Sequence, residues 1–301
     1  MGYGSYSYEA HSAMTAARAA MPTEQVFKQR ECHPLMNPRG VKLRESRDSA
    51  DHPRSLGIVF ALDVSGSMGE IPAAIARREM PGFMKTLTAS GVADPQVLFS
   101  AFSDVAINAA PLQVGQFETT AELMDQWLTW SWLEGGGASR YESYELALYF
   151  FAHHTKMDCF EKRQRKGYLF MSGDEVAYPA VKRAEVQSIL GESIPSDVPI
   201  ADVVRDLERT FHPFFLVPDP GRADGVVGKF WRDLLGPRMI VMAQPSDTCA
   251  VAAGLVALGE KTVTGLADLG RKLREHGTAK ERVEAVVRAI EPWAKASGVA
   301  G

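Results

Sequence analysis

The chain has 301 residues, 46% apolar and 23% charged, with a formal net charge of −4, enough material for one large globular domain with extensions. The slightly acidic balance argues against a general nucleic-acid binder, which needs a basic stripe. No apolar run approaches the roughly 18 residues that span a bilayer, so no membrane span is expected.

Residues 1–54 carry little periodicity beyond a short helix expected over Glu9–Met21. Breakers fill Glu31–Gly40, and Glu45–Arg54 reads as a charged, solvated linker. This stretch is expected to be an N-terminal arm attached loosely to the domain, or else one that packs along it or binds a partner. Three cysteines, Cys32, Cys159 and Cys249, are odd in number and far apart, which fits neither a disulfide framework nor a zinc spacing. Cys32-His33 lacks the second ligand pair that zinc requires. The N-terminus has no basic start and no apolar core, unlike a secretory leader. The expected location is cytoplasmic.

Leu56–Leu62 is a nearly continuous apolar run that suits a central parallel strand covered on both faces. It ends in Asp63-Val64-Ser65-Gly66-Ser67, one carboxylate and two hydroxyls at a strand–turn–helix junction. Open α/β sheets place ligand sites at such junctions. The donors are all hard oxygens, which suit Mg²⁺ or Mn²⁺ rather than zinc. The following helix shows a face of Ile71, Ile75, Met80, Phe83, Met84 and Leu87, with a kink or break expected at Pro81. Gln96–Phe102 reads as a second strand ending near Asp104, and Ala110–Val114 as a short edge strand. Thr120–Leu133 is expected to be a helix with Trp127 and Trp130 in packing roles. A Gly-rich loop, Gly135–Glu142, leads into an apolar helix, Ser143–His154. Tyr168–Met171 makes another strand, followed by Ser172-Gly173-Asp174. Phe214–Val217 and Met239–Met242 are further strands. The Gly/Pro-rich loop 218–225 lies where it could frame the site, and Asp247 reads as the N-cap of a helix over Thr248–Leu258. In residues 259–301, Leu266, Leu269 and Leu273 form one helical stripe, and Val283, Val286, Val287 and Ile290 form another. They pack on their own domain or offer a docking face, with homo-oligomerisation through these C-terminal helices as one outcome.

The ordered set of strand plus Asp-x-Ser-x-Ser, Gly-rich loop plus apolar helix, and strand plus Gly-Asp resembles the metal-ion-dependent adhesion site of von Willebrand factor type A (vWA) domains, over about residues 55–258. The resemblance implies a doubly wound, mostly parallel, Rossmann-like α/β sheet flanked by helices. It also implies a metal site built from Asp63 directly or through water, Ser65 and Ser67 through their hydroxyls, a second-loop ligand, and Asp174 from outside the direct ligands or through water. Two departures stand out. The second-loop hydroxyl position falls on Glu142, with Ser139 and Ser143 nearby as substitutes. The usual Thr-Asp-Gly strand ending is replaced by Ser172-Gly173-Asp174. Either Glu142 ligates, so that three carboxylates overcompensate a divalent ion, or it caps its helix and leaves the position to a serine or water.

The implied function is a metal-dependent protein–protein interaction module, an adaptor in an intracellular complex, alongside an AAA+ ATPase or in a stress or defence system. A metal-dependent phosphatase using Asp63 is the enzymatic alternative. The position two residues on, where a general acid would stand, is Ser65, whose hydroxyl has the wrong pKa for that transfer. No nucleophile–base pair is evident elsewhere, so the chain is expected not to be an enzyme. His153 and His154 point about 100° apart on a helix and cannot both face one site.

Overall fold

All eight residues of β1 (Leu56–Asp63) are buried, as expected of an apolar run with a parallel neighbour on each side. A computed structural model describes residues 4–136 and 140–299, with every side chain among them except that of Ser67. Five further strands complete the main sheet: β2 (Pro95–Phe102), β3 (Leu112–Val114), β4 (Gly167–Ser172), β5 (Phe211–Val217) and β6 (Met239–Val241). Their order is β6-β5-β4-β1-β2-β3, parallel throughout except for β3, which runs antiparallel to β2. The sheet is therefore a doubly wound, mostly parallel α/β sheet flanked by helices. The chain leaves β1 in one direction to build β2 and β3, then returns to its other side to build β4. That reversal opens a crevice beyond the carboxyl ends of β1 and β4. In register, Asp63 stands opposite Phe102 and Leu62 opposite Ser172, so the loops after β1, β2 and β4 emerge side by side.

The helices are α1 (Tyr8–Arg18), α2 (Glu70–Ala74), α3 (Met80–Ser90), α4 (Ala121–Thr129), α5 (Tyr144–His153), α6 (Ile200–Leu207), α7 (Val226–Leu235), α8 (Thr248–Gly259), α9 (Leu266–Glu275) and α10 (Lys280–Ala296), with shorter turns between. A π-turn, Ile75–Glu79, joins α2 to α3. Pro81 breaks nothing: helical backbone runs on from Glu70 through the π-turn to Ser90, and the proline follows directly on the wider winding, where the Met80 N–H reaches back to the Ile75 carbonyl. Asp247 stands at the head of α8, but its side chain makes no cap bond. It instead accepts from Arg282 Nε at 3.0 Å, and the same guanidinium pairs with Glu79.

The N-terminal residues are not loosely attached. Arg18 grips both carboxylate oxygens of Asp125. Residues 44–46 form a parallel pair with 155–157, and Arg44 Nη2 donates to the Val114 carbonyl at 3.0 Å. Arg47 reaches Asp158 at 2.8 Å and Arg163 reaches Asp48 at 2.7 Å. His33 stacks flat on Trp130, 3.9 Å between ring centroids, which gives the Cys32-His33 pair a packing role. The C-terminal stripes are also covered within the chain. Leu269, Leu273, Val283, Val286 and Ile290 are buried, and Gly254 of α8 lets them close in. A Cβ there would lie 2.7 Å from Ile290 Cδ1 and 3.0 Å from Leu269 Cδ2. A docking face built from those stripes is thus already occupied by α8. No helix among the described residues is long and apolar enough to cross a membrane.

Candidate metal centre at the carboxyl edge of the sheet

Asp63 is the last residue of β1 and has no exposed surface. Its Oδ1 accepts from the Ser65 N–H at 2.8 Å, the turn that a strand-ending Asp makes with the residue two positions on. Its Oδ2 accepts from the Tyr144 hydroxyl at 3.0 Å. Tyr144 opens α5 and is entirely buried, with edge-on contacts to Phe102, Phe215 and Trp231. The Tyr144 oxygen accepts in turn from the Glu175 N–H at 3.3 Å. Gly173 makes room for this arrangement. A Cβ at that position would lie 2.1 Å from the Tyr144 hydroxyl and 2.5 Å from its Cε1. The Ser-Gly-Asp order that departs from the family pattern is thus what admits the tyrosine.

Glu142 is carried to the same place by a two-residue parallel pairing of Tyr141–Glu142 with Val176–Ala177. It is 2% exposed, and its Oε2 has no hydrogen-bond partner. The Ser65 hydroxyl lies within hydrogen-bonding reach of both Asp63 and Glu142. Burial, then the charges of Asp63 and Asp104, push the Glu142 carboxyl up to about 8. Burial also pushes Asp63 up to about 6, with Ser65 and Tyr144 pulling the other way and the Asp174 charge adding to the rise. Crowded carboxyls removed from water resist ionisation together.

Asp174 follows β4 and lies near the others, with Arg222 Nη2 at 3.6 Å from its Oδ2. Arg222 also reaches Glu175 at 3.6 Å, so the 218–225 loop does frame the site. Ser143 is drawn elsewhere: its hydroxyl accepts from the Val105 N–H at 2.9 Å. Ser139, Gly137 and Ala138, and the Ser67 side chain, lie outside what is described.

Sequence reasoning passed over three residues here. Asp104, beyond β2, is buried, and its Oδ1 accepts from the Tyr178 hydroxyl and the Ala106 N–H, both at 2.9 Å. Its Oδ2 has no partner. Glu145, the second residue of α5, accepts from the Tyr178 N–H at 3.2 Å and leaves Oε1 without a partner. Burial holds its carboxyl well above the usual range. A polar residue inside an otherwise apolar helix was the available signal for Glu145. Tyr144 gave none, because a tyrosine there reads as core.

Among the described residues, no group of three or more His, Cys, Asp or Glu side chains is placed to hold a metal ion. A set of Asp63, Glu142 and serine hydroxyls contains only two carboxylates, and Asp174 would act through water. The donors present are all oxygen, and three buried carboxylate oxygens, on Glu142, Asp104 and Glu145, are left without partners. Buried polar atoms are rarely left so, and a hard divalent cation suits them. The residues fit the implied ion in chemistry.

No family model and no curated protein matches the chain. Among solved structures, a pilus adhesin, SpaC from Lactobacillus rhamnosus GG in an open conformation, aligns with 73% of the chain at 13% identity and a TM-score of 0.48. Proximal thread matrix protein 1 from the mussel byssus aligns with 72% at 12% identity and a TM-score of 0.42. The chain spans 32% of the adhesin's length and 49% of the matrix protein's.

Proposed function

We propose that this chain is a vWA-like, metal-ion-dependent protein-interaction module rather than an enzyme. Asp63, Ser65, Ser67 and Glu142 would hold Mg²⁺ or Mn²⁺, with Asp174 joining through water. One observation carries the reading: Glu142 Oε2 is buried without a partner beside Asp63, at the crevice where the sheet order reverses. When bound, a divalent cation would neutralise carboxyls that otherwise repel one another. Asp63 is fixed by Ser65 and Tyr144 with no exposed surface, which suits a ligand better than a phosphate-attacking nucleophile. The adaptor role, in an intracellular complex with an AAA+ ATPase, rests on the family resemblance alone.

The test is the melting temperature in EDTA and in Mg²⁺ or Mn²⁺, for wild type, Asp63→Ala and Glu142→Gln. Ion at about 100 times its Kd should stabilise wild type by about 2.7 kcal/mol. Asp63→Ala should not respond, and Glu142→Gln should respond weakly. No response in wild type would overturn the metal reading.

A further inference from the structure

A cavity of about 660 Å³ opens beside the metal-site loops and is lined by Val64, Gly66 and Gly135 as well as by α2 and the 244–246 turn. The Gly66 N–H donates to the Gly136 carbonyl at 2.8 Å, so the first site loop is tied to the Gly-rich loop along one wall of this cleft. Asp63, Glu142 and Asp174 do not line it. Its charged lining side chains are Glu70, Arg77 and Arg78.

The two arginines are consecutive, and on a regular α-helix they would point about 100° apart. They stand instead on the π-turn Ile75–Glu79, whose wider winding narrows that angle, and both line the same cleft. Neither is paired with a carboxylate among the described residues. Arg77 Nη2 donates to the Met21 carbonyl at 2.6 Å and the Thr23 hydroxyl at 3.0 Å, neutral partners that leave its charge uncompensated, and its Nε is buried without a partner. Arg78 is exposed. Asp63 and Glu142 together match the two positive charges of a divalent ion, and Asp174 is paired with Arg222 at 3.6 Å, so the ion offers no surplus positive charge to a further carboxylate. The uncompensated positive charge lies instead on the arginine wall.

We propose that this cleft receives an acidic stretch of a partner polypeptide, with an Asp or Glu carboxylate held by Arg77 and Arg78. Resting on the metal-dependent reading above, it gives the ion the task of holding the loops that wall the cleft rather than gripping the partner. An arginine fork binds a carboxylate through two parallel N–H···O bonds, and Arg78 is free to supply one.

The experiment pans a displayed library of random dodecapeptides against the full chain, as wild type, Arg78→Lys and Arg78→Glu, each in Mg²⁺ and in EDTA. Arg78 is exposed, so its variants should fold, and their melting curves check this. Wild type in Mg²⁺ should enrich Asp and Glu over the unselected pool, and Arg78→Lys should keep part of that preference. Arg78→Glu should lose it, with the best wild-type peptide bound about tenfold or more weakly. Two outcomes would overturn the inference: no acidic preference in wild type, or a preference that survives Arg78→Glu and disappears in EDTA. The second would leave the metal reading intact, because the ion itself would then be the grip. An acidic preference lost in Arg78→Glu, together with no thermal response to Mg²⁺, would support the cleft and remove the metal.

Discussion

Tyr144 ties three segments together through one oxygen, donating to Asp63 and accepting from Glu175 while its ring fills the space above Gly173. Tyr144→Phe keeps the ring and leaves Asp63 Oδ2 without its buried donor. The expected cost is about 1–3 kcal/mol, read as a lower urea midpoint with an unchanged m-value. Gly173→Ala should cost at least as much, because the new methyl meets the ring as well as the hydroxyl. Adding Tyr144→Phe should therefore not rescue it, and recovery in the double variant would show that only the hydroxyl was in the way. The Asp-x-Ser-x-Ser donors were legible because that chemistry sits within five consecutive residues. Tyr144 and Asp63 are 81 positions apart and Tyr178 and Asp104 are 74 apart. Contacts of that range leave no local periodicity to read, so these partners emerged only with the fold.

At the scale of elements, the strands of the parallel sheet were readable because burial on both faces demands continuous apolar runs. The two-residue pairing that delivers Glu142 was not, since its stability comes from a distant segment rather than from its own sequence. The π-turn escaped for a similar reason: Pro81 suggested a break, and the irregularity lies just before it. Arg282 spans this region, linking α10 to Glu79 of the π-turn and to the buried Asp247. Arg282→Met should cost about 2 kcal/mol by leaving Asp247 uncompensated, lowering the melting temperature by about 3 °C. A melting curve indistinguishable from wild type would assign the pair no role in stability. The N-terminal helix carries its own pH dependence. His11 is buried, lies 3.0 Å from the Tyr6 hydroxyl, and has its pKa lowered to about 4, chiefly by burial. Unfolded, it takes a proton near 6.5. Stability from this group is therefore complete above pH 6.5 and is lost as the pH falls toward 4, by an amount on the order of 2 kcal/mol. Hydrogen exchange over α1, corrected for intrinsic rates, should be faster at pH 4.5 than at pH 7. Equal protection at both would mean that His11 is not what holds the helix down.

For the molecule as a whole, the sequence divides into arm, domain and extension, but the contacts cross both boundaries. The helices after residue 258 bury their apolar stripes on α8, so a chain ending at Leu258 exposes the face of α8 they cover. Light scattering should find that truncated chain aggregated rather than monodisperse, and a stable, soluble product would show that α9 and α10 are dispensable cover. The N-terminal residues cross several elements of the domain by arginine pairs and by scattered apolar anchors, Val26, Phe27 and Met36, which follow no helical or strand period, and this is why hydrophobic periodicity gave them no attachment.

The bond from Arg77 to the Met21 carbonyl joins positions 56 apart in sequence, and the Ala19–Met21 stretch beside it is exposed. A cut between Ala19 and Ala20 leaves Met21 joined to Thr23, whose hydroxyl holds the same guanidinium at 3.0 Å, and to Val26 and Phe27 in the core. The cleft wall is therefore held by the segment that follows the exposed stretch, and trimming there should leave Arg77 in place.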